Sequence, residues 1–262
     1  MGRFHRHDDG TVHTHDHGEH DHEHHDHRDH GDHSGYQTGS QRIDVLESIF
    51  AENDIRADYN RKAFERNGVR ALNLMSSPGS GKTTVLGATL DELADEFGVG
   101  VIEGDIATDL DAAKLGGRGA QISLLNTGNG FGGECHLDAP MVNRALQGLD
   151  LSHLDLVIIE NVGNLVCPAE FDVGEHAKAM VYSVTEGDDK PLKYPVMFRA
   201  VDVVLLNKID LVPYLDVDVD SYTARVREVN PTATILPVSA RTGAGMSAWF
   251  GWLRRFMAAS AA

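Results

Sequence analysis

The sequence predicts an α/β fold, a mostly parallel sheet with helices on both faces, preceded by a polar tail. Three observations carry that expectation. After Gly68, apolar runs of strand length alternate with segments whose apolar residues recur at helical spacing. Several runs, such as 154–160 and 201–207, are continuously apolar, as strands covered on both faces must be. A glycine-rich turn also joins the first run to the first amphipathic helix, and strands alternating with helices imply parallel pairing through crossovers.

Taken in order, residues 1–34 stand apart. They hold 12 of the 15 histidines and nine carboxylates, with Phe4 the only large apolar side chain besides Met1 and Val12. Such a segment cannot bury enough apolar surface to offset its ordering entropy, so disorder in the metal-free chain is expected. Residues 35–40 read as a linker. A folded domain is expected over 41–262, opening with a helix over 41–66 whose approximate apolar stripe is Leu46, Ile49, Phe50, Ile55 and Tyr59. Strands are expected at 70–75, 99–103, 121–126, 154–160, 177–184, 201–207 and 234–238. Helices are expected at 83–97, with Leu86, Leu90, Leu93 and Phe97 on one face, at 140–149, and at 245–258.

Charge and cysteine content exclude several classes. The net charge of −17, from 23 basic and 40 acidic residues, argues against binding a nucleic-acid backbone. Two cysteines make no disulfide framework and suit a reducing compartment. No signal-peptide core or membrane-length apolar run is present, so the sequence reads as cytoplasmic, without a membrane span.

The strongest local signal is Ser76-Ser77-Pro78-Gly79-Ser80-Gly81-Lys82-Thr83-Thr84, between the first strand and the first helix. Gly79 and Gly81 allow a tight turn that aims backbone amides at phosphate oxygens, and the helix N-terminus adds partial positive charge. Lys82 is placed to reach the β- and γ-phosphates and Thr83 to offer its hydroxyl to Mg²⁺. Ser76 stands where the usual pattern begins with glycine. This is a P-loop NTPase signature; the bland alternative is a chance glycine-rich turn.

Asn207-Lys208-Ile209-Asp210 follows an apolar strand about 125 residues after the phosphate loop. It resembles the N-K-x-D guanine motif of GTPases. The Asp210 carboxylate would accept from guanine N1 and its exocyclic amine, a donor pair that adenine lacks. Lys208 would lie over the base, Asn207 would brace the loop, and Ser239-Ala240 would complete the pocket. GTP and GDP are therefore the expected nucleotides. Two strand-terminal acids, Asp105 and Glu160, are candidates for water-mediated Mg²⁺ binding, with helix capping as the alternative. Gly163 is placed to donate its N–H to the γ-phosphate. The expected catalytic set is Lys82, Thr83, Asp105 and Glu160, with slow intrinsic hydrolysis because no residue stands out to orient the attacking water.

Cys135-His136 and Cys167 flank Glu160 in sequence, and two thiolates with an imidazole suit Ni²⁺, Zn²⁺ or Cu⁺. A buried apolar cysteine and a helix-capping histidine are the plainer reading. In the tail, His13, His15, His17, His20, His22, His24, His25 and His27 alternate with carboxylates or small residues. They offer many weak imidazole sites for Ni²⁺, or a merely solubilising, pH-titrating segment.

At this point the sequence resembles the HypB hydrogenase nickel-incorporation GTPases. The resemblance rests on Asn73-Leu74-Met75 running into the phosphate loop, on Glu160-Asn161-Val162-Gly163-Asn164-Leu165-Val166-Cys167-Pro168-Ala169, and on the order of Cys135-His136 and the guanine motif. It spans residues 41–262, and Ser76 is normal for that family. It implies a SIMIBI-type P-loop NTPase that dimerises under GTP or metal control, with Cys135, His136 and Cys167 holding Ni²⁺ or Zn²⁺ near the dimer interface. It also implies a HypA-type zinc-containing partner and delivery of nickel to the [NiFe]-hydrogenase large subunit. The chain departs from members with an N-terminal Cys-x-x-Cys-Gly-Cys site and resembles those with histidine-rich storage tails. A urease-type nickel GTPase usually carries Cys-Pro-His, whereas Ala169 follows Cys167-Pro168 here. A metal store with a vestigial nucleotide fold and a signalling GTPase with a solubilising tail are the other readings.

Overall fold

The computed structural model describes residues 5–6, 12–13, 38–104, 115–125 and 136–259, with side chains from Phe50 onward apart from Cys167. The chain divides into two units, 1–43 and 44–262. In the first, β1 (His5–Arg6) pairs antiparallel with β2 (Val12–His13). Helix α1 (Thr38–Arg66) begins inside the stretch that the sequence reads as a linker.

The helix forms as expected, but two residues of its apolar stripe do not face the core. Ile55 and Tyr59 are each 59% exposed, while Asn53, Ala57, Asn60 and Phe64 are buried. Those four lie at helical spacing on one face. The asparagines are inside because main-chain groups there satisfy their amides, which removes the penalty for burying them.

The second unit is built on seven parallel strands: β3 (Arg70–Ser76), β4 (Val99–Glu103), β5 (Gln121–Leu124), β6 (Leu156–Glu160), β7 (Ala177–Ser183), β8 (Val203–Asn207) and β9 (Thr234–Pro237). Their order is β5-β4-β6-β3-β7-β8-β9. Every ladder is parallel, as crossover connections require. Successive side chains of each strand enter opposite layers. From β3, Leu72 and Leu74 pack with Leu86, Leu90 and Trp249, beneath α2 (Lys82–Leu93) and α8 (Met246–Ala258). On the other face, Ala71 joins Phe64 of α1 and Val142 of α3 (Ala139–Leu146), and Met75 joins the layer of Phe198 and Tyr222. Each fully buried large apolar side chain contributes about 1.5–3 kcal/mol relative to exposure. Trp249 adds a buried Nε1–H bond to Thr89 Oγ1 at 2.9 Å, so its polar edge is satisfied as well.

The expected strands all form, within two residues of the boundaries read from the sequence. Among the described residues these helices come in addition: α4 (Cys167–Glu170), α5 (Lys190–Lys193), α6 (Pro195–Arg199) and α7 (Val219–Val229). Short proline-containing turns such as 190–199 carry no long periodicity to read. Among the described residues no helix is long and apolar enough to cross a membrane.

Candidate functional site

In an open parallel sheet, the carboxyl ends of the strands leave loops on one edge, and ligands bind where the strand order reverses. Here β3 sits at that reversal, between β6 and β7. Its carboxyl end runs into the phosphate loop; Glu160 ends the adjacent β6, and the guanine motif follows β8, on the far side of β7.

The loop needs its glycines. Gly79 and Gly81 have φ of +75° and +97°, a region that costs any residue with a Cβ. A Cβ on Gly81 would lie 2.6 Å from Asn207 Nδ2. That close approach is functional in shape, because Asn207 Nδ2 donates to Ser80 O at 2.9 Å while its Oδ1 accepts from Ala240 N at 3.1 Å. One side chain thus ties the phosphate loop to the loop after β9. Lys208, itself left-handed at φ +66°, donates from Nζ to Gly79 O at 2.6 Å. Asp210 Oδ1 accepts from Ser239 Oγ at 2.6 Å. A cavity of about 500 Å³ opens between Gly81, Thr84, Asn207, Lys208, Asp210 and Ala240, within the range of nucleotide-sized sites.

Behind the loop lies a buried carboxylate. Glu160 Oε1 accepts from Thr83 Oγ1 at 2.9 Å and stands 3.2 Å from Lys82 Nζ, with both side chains of the ion pair almost fully buried. Its Oε2 is buried without a hydrogen-bond partner among the described residues. Glu103 is directly beside Glu160 in the β4–β6 register and equally buried. An unsatisfied carboxylate oxygen next to a threonine hydroxyl is a set of hard oxygen donors, which fits Mg²⁺. Asp105 lies outside the described residues. Gly163 lets the turn after β6 sit against the phosphate loop: a Cβ there would come within 3.3 Å of Pro78 Cα.

Glu186 and Lys190 grip the loop and were not anticipated, Lys190 Nζ donating to Ser77 Oγ at 3.2 Å. Glu186 Oε1 accepts from Ser80 Oγ at 2.6 Å and from Ser183 N at 2.9 Å; its Oε2 accepts from Ser77 Oγ and, at 2.8 Å, from Lys190 Nζ. The available signal was Ser183-x-x-Glu186 after an apolar run, which is a capping box. That pattern locates the turn but not the loop it holds.

The His136 ring packs against Phe171, with centroids 4.1 Å apart and planes tilted by 32°, four residues beyond Cys167, which opens α4. Leu137 N donates to Asn161 Oδ1 at 3.0 Å, and Asn161 Nδ2 reaches Asn73 Oδ1 at 3.3 Å. The network ends at Glu175, bonded to Asn73 and Val173 N, whose carboxyl burial raises above its ordinary range against the pull of Lys178. The residue after His136 is therefore pinned to the residue after Glu160. Cys135 lies outside the described residues, as do the Cys167 side chain and His15, His17, His20, His22, His24, His25 and His27; of His13 only its place in β2 is described. Among the described residues no cluster of three metal-ligating side chains forms.

Residues 70–237 match the CobW/HypB/UreG nucleotide-binding domain family. The chain is 50% identical over 216 residues to the hydrogenase maturation factor HypB of Azotobacter chroococcum, covering 82% of this chain and 70% of that one. The Escherichia coli HypB is 51% identical over 211 residues, covering 80% and 70%. The crystal structure of Helicobacter pylori HypB in complex with nickel superposes with a TM-score of 0.73 at 36% identity, over 79% of this chain and 95% of that one.

Proposed function

The chain belongs to the HypB family of hydrogenase maturation factors, and from that premise we propose that it is a GTP-hydrolysing nickel metallochaperone serving [NiFe]-hydrogenase. In this reading GTP occupies the cavity beside Asp210, with its phosphates on the Gly79–Thr83 turn. Nickel is cargo held by Cys135, His136 and Cys167, and Zn²⁺ is the competing ion. The H. pylori relative was crystallised with nickel, which supports that choice. Thr83, Asp105 and Glu160 would hold Mg²⁺, which when bound neutralises charge developing on the phosphates. Hydrolysis by the isolated chain is slow, the protein acts as a homodimer in the cytoplasm with a HypA-type partner, and the histidine tail stores additional nickel.

One observation carries the coupling of nucleotide to metal: the Leu137 N to Asn161 Oδ1 bond. Lys82 and Thr83 are both engaged by Glu160. Phosphates that draw them away change the environment of Glu160, and Asn161 transmits the adjustment to the chain beside His136. A ligand shifts such an equilibrium only by its differential affinity for the two arrangements.

The test is a Ni²⁺ titration of the full chain, followed by thiolate-to-nickel charge-transfer absorption, which tail imidazoles do not give. It is run with GDP and with a non-hydrolysable GTP analogue. Different midpoints in the two nucleotide states, and loss of the band in Cys167→Ala, are expected. Equal midpoints would remove the coupling, and a band unaffected by Cys167→Ala would remove the site.

A further inference from the structure

The buried polar face of α1 spans the two chain segments that lead away from the metal ligands. Asn53 Oδ1 accepts from Ala139 N at 2.9 Å, and its Nδ2 donates to Asp172 O at 2.8 Å. Two turns later, Asn60 Nδ2 donates to Ala139 O at 2.9 Å and Val173 O at 3.0 Å, and its Oδ1 accepts from Asn143 Nδ2 at 2.9 Å. Each amide therefore bridges the segment three residues beyond His136 to the segment five or six residues beyond Cys167. Arg61 adds an outer rung, with Nη2 2.6 Å and 2.9 Å from the two oxygens of Asp172. Phe50 completes the face, its ring 5.2 Å from that of Phe171, the ring against which His136 packs.

The packing that allows this is specific. Gly174 has φ +94°, and a Cβ there would lie 2.6 Å from Ala57 O and 2.9 Å from Arg61 N. The chain after Cys167 thus approaches the α1 backbone as closely as glycine permits. Two buried asparagines at 3% and 0% exposure, both satisfied by the same pair of segments, are a poor way to build a core but a good way to fix one distance. An apolar face would tolerate sliding; two-sided hydrogen bonds do not.

We propose that α1 is a clamp on the nickel site, with Asn53 and Asn60 as positioning residues that hold the His136 segment against the Cys167 segment and so set nickel affinity. The proposal rests on the reading of Cys135, His136 and Cys167 as the nickel ligands. Partners outside the ligand sphere orient ligands, and their loss typically weakens metal affinity by about 10- to 100-fold.

The test uses the full chain and the thiolate-to-nickel band, whose only sources are Cys135 and Cys167, the chain's two cysteines. Asn60→Asp removes both donated bonds with little change of shape. Arg61→Ala removes the half-exposed outer rung without disturbing the interior, and Tyr59→Ala on the exposed face is the control. A nickel midpoint about tenfold weaker in Asn60→Asp, a smaller shift in Arg61→Ala and none in Tyr59→Ala are expected; the far-UV circular dichroism of the metal-free protein is retained, while the thermal midpoint of Asn60→Asp falls because two buried carbonyls lose their donor. Folded Asn60→Asp with the wild-type midpoint overturns the clamp. Should Asn60→Asp fail to fold, Arg61→Ala decides: a shifted midpoint supports the clamp and an unshifted one overturns it. A wild-type chain with no such band, or one indifferent to Cys167→Ala, overturns the nickel-site reading itself and the clamp with it.

Discussion

Thr83 Oγ1 donates to Glu160 Oε1 at 2.9 Å, and Lys82 Nζ stands 3.2 Å from the same oxygen. The two side chains that a P-loop directs at phosphate and metal are held by one buried carboxylate at the end of the neighbouring strand. Removing Lys82 would leave that carboxylate without its cation, and breaking a buried pair from one side costs about 3–5 kcal/mol. Lys82→Ala is expected to lower the urea midpoint of the nucleotide-free protein as well as GTP affinity. Adding Glu160→Gln should restore much of the stability but not the nucleotide affinity. Equal urea midpoints for the single and double variants would show that the pair carries no such penalty.

Asp210 should decide the base. With Asn in its place the double acceptor for guanine is gone, and GDP affinity should fall by about a hundredfold or more. Xanthine carries a carbonyl where guanine has its amine, so Asp210→Asn should gain relative preference for XDP. Competition between GDP and XDP measures this directly, and an unchanged preference would place the base elsewhere.

Glu186 should matter through the phosphate loop it holds. Its carboxylate accepts from both Ser77 and Ser80, and charge-assisted bonds contribute about 1.5–3 kcal/mol each. Glu186→Gln retains the shape and loses the charge, so GDP affinity should weaken about tenfold with Asp210 contacts intact. Calorimetric GDP titration reads this; full affinity would make Glu186 a turn residue only.

His176 makes stability depend on pH. Its Nδ1 accepts from Ala71 N at 3.0 Å, and burial, helped by Arg70, holds its pKa below the ordinary 6.5. The folded state therefore binds its proton less readily than the unfolded state. The contribution is fully present above the unfolded value and is lost as pH falls from there through the folded one. Thermal midpoints should decline as pH drops below about 6.5, and less steeply in His176→Asn. Parallel curves would assign the decline to other groups.

The phosphate loop and the guanine motif could be read without coordinates because each is a contiguous string whose chemistry depends on its own backbone. Gly79 and Gly81 lie in the turn between β3 and α2, Lys82 and Thr83 open α2, and Asp210 follows the end of β8, where the local sequence dictates the bend. The apolar runs dictated the sheet for a similar reason: a parallel strand buried on both faces has no polar side to hide.

What the tertiary structure alone decided concerns polar groups with distant partners. Ile55 and Tyr59 looked like the buried side of α1, yet they are exposed and Asn53 and Asn60 are inside. Burial of an amide depends on whether main-chain partners await it, and Ala139 O is 79 residues from Asn60 while Asp172 O is 119 from Asn53. Glu186 is likewise 106 residues from the Ser80 it holds. Apolar burial follows from composition and period, which a sequence carries within a few residues. Polar burial follows from satisfaction, and satisfaction exists only once the chain has closed on itself.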